Sequence, residues 1–322
     1  MVSGTNDRWL TAEYALRTLY PKMEPELFWI DLFPMYKEEQ PTFIYATDTS
    51  GASGDAKKKK PGLQRVGAKF PEIDMSMESV TPEAISARGF AIRLPSDLLR
   101  GPPNAIRNQY LKAYTRAGQW MAEALNTEVI TAMIAGATTP TWTPTAAWSE
   151  LTATPSKDLI LLKGQMHREG YPFKLNQTFV NYTNFNELEI CLASVDSSGN
   201  ARAVWNAIQK PNDRTIVEPY SGVPVTYLNS SGLSEGHILG IDTRNPAVEI
   251  HYYNNPKFST QNIRIQAGQN DNGAPIFKNA TNFGIGFDSY EEPDTKDLVL
   301  QFLYDFKPVV TQSYGILYDS GI

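Results

Sequence analysis

The sequence predicts an α+β fold built around one long helix, and three observations support that prediction. Apolar residues recur at helical spacing from Ala105 to Ala135, directly after Pro102-Pro103. Later segments such as Val248–Tyr252 alternate apolar with polar residues, a period of two that is typical of strands. Of the 322 residues, 41% are hydrophobic, which is enough to form one large core or two modest ones.

The first 35 residues combine a short helix with a dense apolar cluster. Ala12, Leu16 and Leu19 recur at helical spacing, so we predict an amphipathic helix over 11–20 that Pro21 ends. The cluster that follows, between residues 27 and 33, is expected to clamp onto another surface. Its apolar members are Leu27, Phe28, Trp29, Ile30, Leu32 and Phe33.

Residues 41 to about 80 form a distinct unit, which we interpret as a long hairpin. A strand-like piece at 43–45 leads into the basic run Lys57–Lys60. Beyond that run, Ile73, Met75 and Met77 alternate with polar residues and predict the returning strand, with one apolar face. The lysine run is then the hairpin tip. It could be a solvated loop, a docking element for an acidic patch on a neighbouring subunit, or a weak nucleic-acid contact.

The helix predicted over 105–135 would be about 45 Å long at 1.5 Å per residue, whereas a typical helix has about 11 residues. Asn104 is the expected cap, Gly136 the expected stop, and Trp120 is placed on the buried face. Such a length suits a structural beam. Further helices are predicted over 157–169 and 184–192, and further strands over 89–94, 178–180, 222–227, 237–241, 298–306 and 314–318, with a turn at 270–273.

No residue pattern predicts a catalytic, metal or cofactor site. Cys191 is the one cysteine, so no internal disulfide and no cysteine zinc site can form, and we expect a buried thiol. His167, His237 and His251 lie in three different elements without metal-ligand spacing. Phosphate-loop and nucleophile-turn motifs are missing from the sequence. An α+β enzyme of unknown class would need a polar pocket in which titratable groups converge. Three scattered histidines and one cysteine make such a pocket a poor expectation.

The charge balance, 29 basic against 35 acidic residues, gives a formal net charge of −6 and argues against a DNA-reading surface. It does not exclude a container whose inner wall faces nucleic acid without gripping it. No stretch approaches the roughly 20 apolar residues of a membrane span, and no signal peptide is evident. We therefore expect no membrane partner, and production in a cytoplasm.

The order of elements resembles the major capsid proteins of tailed bacterial and archaeal viruses, whose HK-97-type fold is shared by encapsulins. The segment Phe90-Ala91-Ile92-Arg93-Leu94-Pro95-Ser96-Asp97-Leu98-Leu99 is similar to the strand and short helix that lead into the family's spine helix, here 105–135. The resemblance implies an N-terminal arm at 1–35, an extended hairpin (the E-loop) at 36–88, a peripheral domain at 89–156 and 243–322, and an axial domain at 157–242.

The resemblance further implies a structural protein that assembles with itself, as pentamers and hexamers, into an icosahedral virion capsid in the host cytoplasm. Packaged double-stranded DNA would lie inside without sequence reading, and scaffold, portal and minor capsid proteins are possible partners. The main alternative is an encapsulin-like nanocompartment shell, although the hairpin is long for one. A tail-tube or decoration protein would consist mostly of strands, and the long helix predicted over 105–135 argues against both. Some members cross-link through a lysine of the hairpin, but no matching Glu site is marked here.

An arm and a hairpin that bury little against their own chain become stable by lying across neighbours. This reasoning predicts an inter-subunit contact set drawn from both segments. The set comprises Leu27, Phe28, Trp29, Ile30, Phe33, Lys57, Lys58, Lys59, Lys60, Met75 and Met77.

Overall fold

A computed structural model describes most of the chain as mixed helix and strand in two compact units. The first unit comprises Met1–Phe43, Pro82–Asn126 and Ile250–Pro308, and the second comprises Ile44–Thr81, Thr127–Glu249 and Val309–Ile322. The predicted division into arm, hairpin, peripheral and axial parts stays a prediction. The described residues are 10–47, 79–138, 144, 146–150, 153–169, 173–193, 209–253, 259–260, 266–269, 275–277 and 285–322.

The helices and strands are numbered in chain order. The helices are α1 (Ala12–Met23), α2 (Pro103–Gly136), α3 (Pro155–Glu169) and α4 (Tyr182–Ala193). The strands are β1 (Met35–Glu38), β2 (Thr42–Thr47), β3 (Ser79–Ala84), β4 (Ala87–Leu94), β5 (Gln177–Val180), β6 (Gln209–Asn212), β7 (Thr215–Val217), β8 (Pro224–Tyr227), β9 (His237–Ile241), β10 (Val248–Tyr253), β11 (Ser259–Thr260), β12 (Gln266–Gln269), β13 (Pro275–Phe277), β14 (Ile285–Glu291), β15 (Leu298–Val310) and β16 (Ile316–Ser320).

Helix α1 continues past Pro21 to Met23, so the prediction that this proline ends the helix is wrong. A proline inside a helix removes one backbone hydrogen bond. Leu19 and Met23, two positions before and after the proline, are buried at 0% and 1% exposure. Burial of their side chains offsets the lost bond. The chain then forms a 3₁₀ turn at Glu24–Glu26.

The sheet of the first unit runs in the order β1-β10-β15-β14-β11, with β4 also paired to β15. Strand β1 is parallel to β10, and β15 is antiparallel to both β14 and β4. Helix α1 packs against β14. Tyr114 of helix α2 makes edge-on ring contacts with Phe287 and Phe302 of the sheet, so aromatic packing joins the helix to the strands.

The sheet of the second unit runs in the order β16-β9-β5-β8-β7-β6. Strand β5 is parallel to β8 and antiparallel to β9, and β16 is antiparallel to β9. Helix α4 packs against β8. The strand predicted over 237–241 is confirmed with its bounds, and the predicted helices 157–169 and 184–192 are each a few residues longer. The turn predicted at 270–273 lies outside the described residues.

Helix α2 confirms the predicted long helix and has 34 residues, about 51 Å at 1.5 Å per residue. Two details of the prediction are wrong. The helix begins at Pro103, so Asn104 is inside it rather than its cap, because proline suits the first helical position. Trp120 is 55% exposed, because the buried stripe follows Ala117, Met121 and Leu125, and Trp120 is rotated about 100° from Met121.

Two glycines inside helices offer a matched test of how closely helix α1 packs against helix α2. A Cβ at Gly118 of α2 would lie 2.9 Å from the backbone oxygen of Leu19, whereas one at Gly164 of α3 would meet nothing within 4 Å. We expect Gly118→Ala to lower the free energy of unfolding by about 1–3 kcal/mol, since helix α1 must shift. Gly164→Ala should raise it by up to about 1 kcal/mol through helix propensity.

Urea denaturation of the two variants, followed by circular dichroism, measures both changes. A Gly118→Ala protein as stable as the Gly164→Ala protein would show that helix α1 does not approach α2 at this point.

Candidate assembly surfaces

The described residues show no arrangement that suits catalysis by a metal. No group of three or more His, Cys, Asp or Glu side chains among them could hold an ion.

Burial raises the pKa of Tyr20 and Tyr114 far above the usual value, which keeps both hydroxyls neutral inside the core. In the part of the chain that the structure describes, no helix is both long and apolar enough to cross a membrane.

The histidines and the cysteine have structural surroundings. His251 Nδ1 lies 2.7 Å from Glu38 Oε1, and its ring stacks on Phe43 with centroids 4.0 Å apart. His237 Nδ1 lies 2.7 Å from the Tyr318 hydroxyl. Cys191 is buried, as predicted. His167, on helix α3, is exposed.

The apolar cluster at 27–33 is largely buried within the chain itself. Leu27, Trp29 and Phe33 are 5%, 0% and 5% exposed, and the Trp29 ring lies 5.2 Å from that of Phe306. Phe28 and Ile30 are half-buried. The expectation that the front segment buries little against its own chain is therefore wrong for this cluster. A contact with neighbouring subunits stays a prediction. Of the five predicted contact residues in this cluster, only Phe28 and Ile30 keep accessible surface of any size for it.

Strands β2 and β3, which flank the predicted hairpin tip, pair with each other in a two-stranded sheet. Their root is fixed to the first unit. Phe43 is buried against His251, and the Ile85 amide donates to the Pro41 carbonyl over 2.7 Å. Lys307 Nζ lies 3.3 Å from Glu83 Oε2. Beyond Phe43 the strand is no longer buried, and Ile44 is 69% exposed.

The remaining predicted contact residues, Lys57, Lys58, Lys59, Lys60, Met75 and Met77, lie outside the described residues. Their contact role stays a prediction.

Several large apolar side chains are exposed that the sequence did not single out as contacts. Scattered exposed apolar residues are normal on protein surfaces, but Tyr182 and Ile190 lie eight positions apart on one face of α4. The spacing of apolar residues predicts that α4 is a helix with a buried face. It does not predict that apolar side chains also lie on the exposed face. The exposed set is Tyr36, Ile44, Leu98, Trp120, Ile160, Leu161, Tyr182, Ile190, Tyr220 and Tyr290.

Comparisons with known proteins show which solved structures this fold is similar to. No protein-family model and no curated protein matches the sequence. Solved structures do match, over nearly the whole chain. The capsid of an empty GTA particle has a TM-score of 0.57 at 11% identity, with 92% of this chain and 90% of that chain covered. A virus-like particle from Pyrococcus furiosus has a TM-score of 0.54 at 8% identity, with 96% and 98% covered.

A third match is the holo-SrpI encapsulin complex from Synechococcus elongatus PCC 7942. Its TM-score is 0.51 at 11% identity, with 95% of this chain and 89% of that chain covered. At such low identity a structural likeness establishes the fold and no more. The predicted fold class is thereby confirmed, and the chain has the HK-97-type capsid fold.

Proposed function

We propose that this chain is a structural subunit that assembles with copies of itself into a closed icosahedral shell of pentamers and hexamers. The observation that carries the proposal is the likeness to shell-forming proteins over more than nine-tenths of the chain, without a large unmatched part. A likeness of that extent leaves little of the chain to form a separate catalytic domain. The role is therefore structural rather than enzymatic.

Features of the chain itself agree with a shell subunit. The 34-residue helix α2 suits a beam that carries load across a thin wall. The paired strands β2 and β3 are fixed at their root, which suits a hairpin that reaches a neighbour. Subunits that each touch several others can form a strong shell without any single tight pair. We propose the arm, hairpin, peripheral and axial division on the same grounds.

For the contents, we propose the double-stranded DNA genome of a tailed virus, which makes the chain its major capsid protein in the virion. A net charge of −6 argues against a DNA-reading surface and is compatible with an inner wall that faces DNA without gripping it. Scaffold, portal and minor capsid proteins would be the further partners, with assembly in the host cytoplasm. An encapsulin-like shell that encloses a protein cargo is the outcome that would replace this part of the proposal.

Negative-stain electron microscopy of the purified chain tests the shell. We expect closed particles of uniform size, and a protein that stays monomeric at high concentration and varied salt would overturn the proposal. The genes beside the coding sequence test the contents. Portal and tail genes support a viral capsid, whereas a single adjacent cargo enzyme gene supports a nanocompartment.

A further inference from the structure

Two buried carboxyl groups lie in the second unit, one on helix α3 and one on strand β16, and these two elements line one small cavity through Leu162 and Leu317. Asp158 is on the first turn of α3 and is 1% exposed, and Asp319 is on β16 and is 3% exposed. Each is held by one donor. Trp148 Nε1 donates to Asp158 Oδ2 over 3.0 Å, and the Ser320 amide donates to Asp319 Oδ1 over 2.8 Å.

The second oxygen of each carboxyl group is buried and has no hydrogen-bond partner among the residues that the structure describes. These atoms are Asp158 Oδ1 and Asp319 Oδ2. A buried acceptor without a donor destabilises the folded state, and does so more strongly when it is charged. Asp158 lies one helical turn before Leu162, and Leu162 lines the same cavity as Asp319, so the two carboxyl groups border one region. A single proton on either carboxyl group would supply a donor there.

The surroundings offer little to stabilise two negative charges. Asp319 lines a small cavity whose other walls are mostly aliphatic, namely Leu162 of α3, Leu175, Thr178 of β5, Ile238 and Gly240 of β9, and Leu317 of β16. The Thr178 hydroxyl is already committed to the Pro224 carbonyl over 3.0 Å. The cation that acts on Asp158 is its neighbour Lys157, whose side chain is exposed. His237 and Tyr318 alternate with Ile238 and Asp319 and so lie on the opposite face of the same strands.

The electrostatics agree with this geometry. Burial raises the pKa of Asp319 to about 6; the Ser320 amide opposes the rise, and the negative charge of Asp158 adds to it. Burial also raises the pKa of Asp158, against the lowering effects of Trp148 and Lys157. Two carboxyl groups that repel each other lose their protons in two coupled steps.

We propose that Asp158 and Asp319 hold one proton between them, and that loss of this proton loosens strand β16 from helix α3. Strand β16 is at the edge of its sheet and pairs with β9, apart from one isolated bridge to Thr138. Repulsion between the two carboxylates therefore acts on a strand that is paired along its length with β9 alone among the described strands. The inference concerns a single subunit and does not depend on the proposed shell.

The direction of the pH effect follows from the raised pKa. The folded chain binds this proton more tightly than the unfolded chain, so protonation favours the folded state. The stabilisation that this proton supplies is fully present below about pH 4, is lost as the pH rises through about 6, and is absent well above that value.

Amide hydrogen exchange of residues 316–320 in the full chain, corrected for the intrinsic effect of pH, tests the proposal. We expect protection in the wild-type protein to fall by about tenfold or more from pH 5 to pH 8. In Asp319→Asn, protection should be equal at both values. The new amide can accept from Ser320 and donate to Asp158 Oδ1, as the shared proton does. Asp158→Asn makes the reciprocal arrangement and serves if the first variant fails to fold.

The control is His237→Asn, which removes the titratable ring from the opposite face and should keep the pH dependence of the wild-type protein. A pH dependence that persists in both aspartate variants, or that vanishes in His237→Asn, would overturn the proposal. A wild-type strand whose protection is the same at both pH values would overturn it too. Restored protection at pH 8 on addition of Ca²⁺ or Mg²⁺ would show that the pair binds a metal cation rather than a proton, with the same consequence.

Discussion

Replacement of Trp29 by alanine should lower the free energy of unfolding of the unassembled subunit by about 3–5 kcal/mol. The side chain is fully buried and packs on Phe306, so its loss leaves a large cavity in the first unit. Trp29→Phe should cost clearly less. It keeps an aromatic ring and removes the indole N–H, which is buried and finds no hydrogen-bond partner within the described ranges.

A second tryptophan provides the matched control for this experiment. Trp120 is 55% exposed and contacts Phe90 edge-on, with ring centroids 6.0 Å apart. Trp120→Ala should change the free energy of unfolding by less than about 1 kcal/mol. Chemical denaturation followed by far-ultraviolet circular dichroism measures all three variants. Equal stability of Trp29→Ala and the wild-type subunit, with assembly alone impaired, would restore the view that Trp29 serves neighbours and not its own core.

Replacement of residues 48–78 by a short Asn-Gly turn should give a folded subunit that forms no closed shells. The root of the hairpin is retained in this variant, because Phe43 and Ile85 are buried and lie outside the deletion. The first unit should therefore keep its stability. If the proposed function is correct, the deleted part supplies the reach toward neighbouring subunits, and without it the contacts of each subunit become too few.

Size-exclusion chromatography and electron microscopy read out this second variant, with thermal melting to confirm folding. A matched variant with Lys57, Lys58, Lys59 and Lys60 all changed to serine keeps the full length and removes only the charge. If it assembles normally while the deletion does not, the reach matters and the lysines are a solvated tip. Normal-sized particles from the deletion variant would contradict the role assigned to the hairpin.

Local patterns in the sequence predicted the elements well, because helices and strands impose their own period. The strand at 237–241 and the long helix after Pro103 both follow from apolar spacing and flanking glycine or proline. Trp120 was misplaced for a local reason. Several residues of α2 could widen either side of the buried stripe, and only the position of the sheet decides between them.

Contacts between distant residues could not be predicted. Trp29 finds its partner in Phe306, far along the chain, so its cluster looked available to another molecule. Asp158 and Asp319 show the same limit, since a chain with 35 acidic residues offers many chance pairs and no pattern marks this one. The HK-97-type fold could be predicted because it shows in the order of helices and strands along the sequence. Which side chains are exposed for assembly could not be predicted, because that depends on how the chain packs.

The buried position of Cys191 makes the molecule convenient to modify chemically. A thiol must be exposed and ionised to react quickly, so thiol reagents should leave the wild-type chain unlabelled under native conditions. A cysteine introduced at an exposed site such as Tyr220, which is 65% exposed, would then be the one reactive handle on each copy. Dyes, gold clusters or cross-linkers could be attached at that point without first engineering out the native residue.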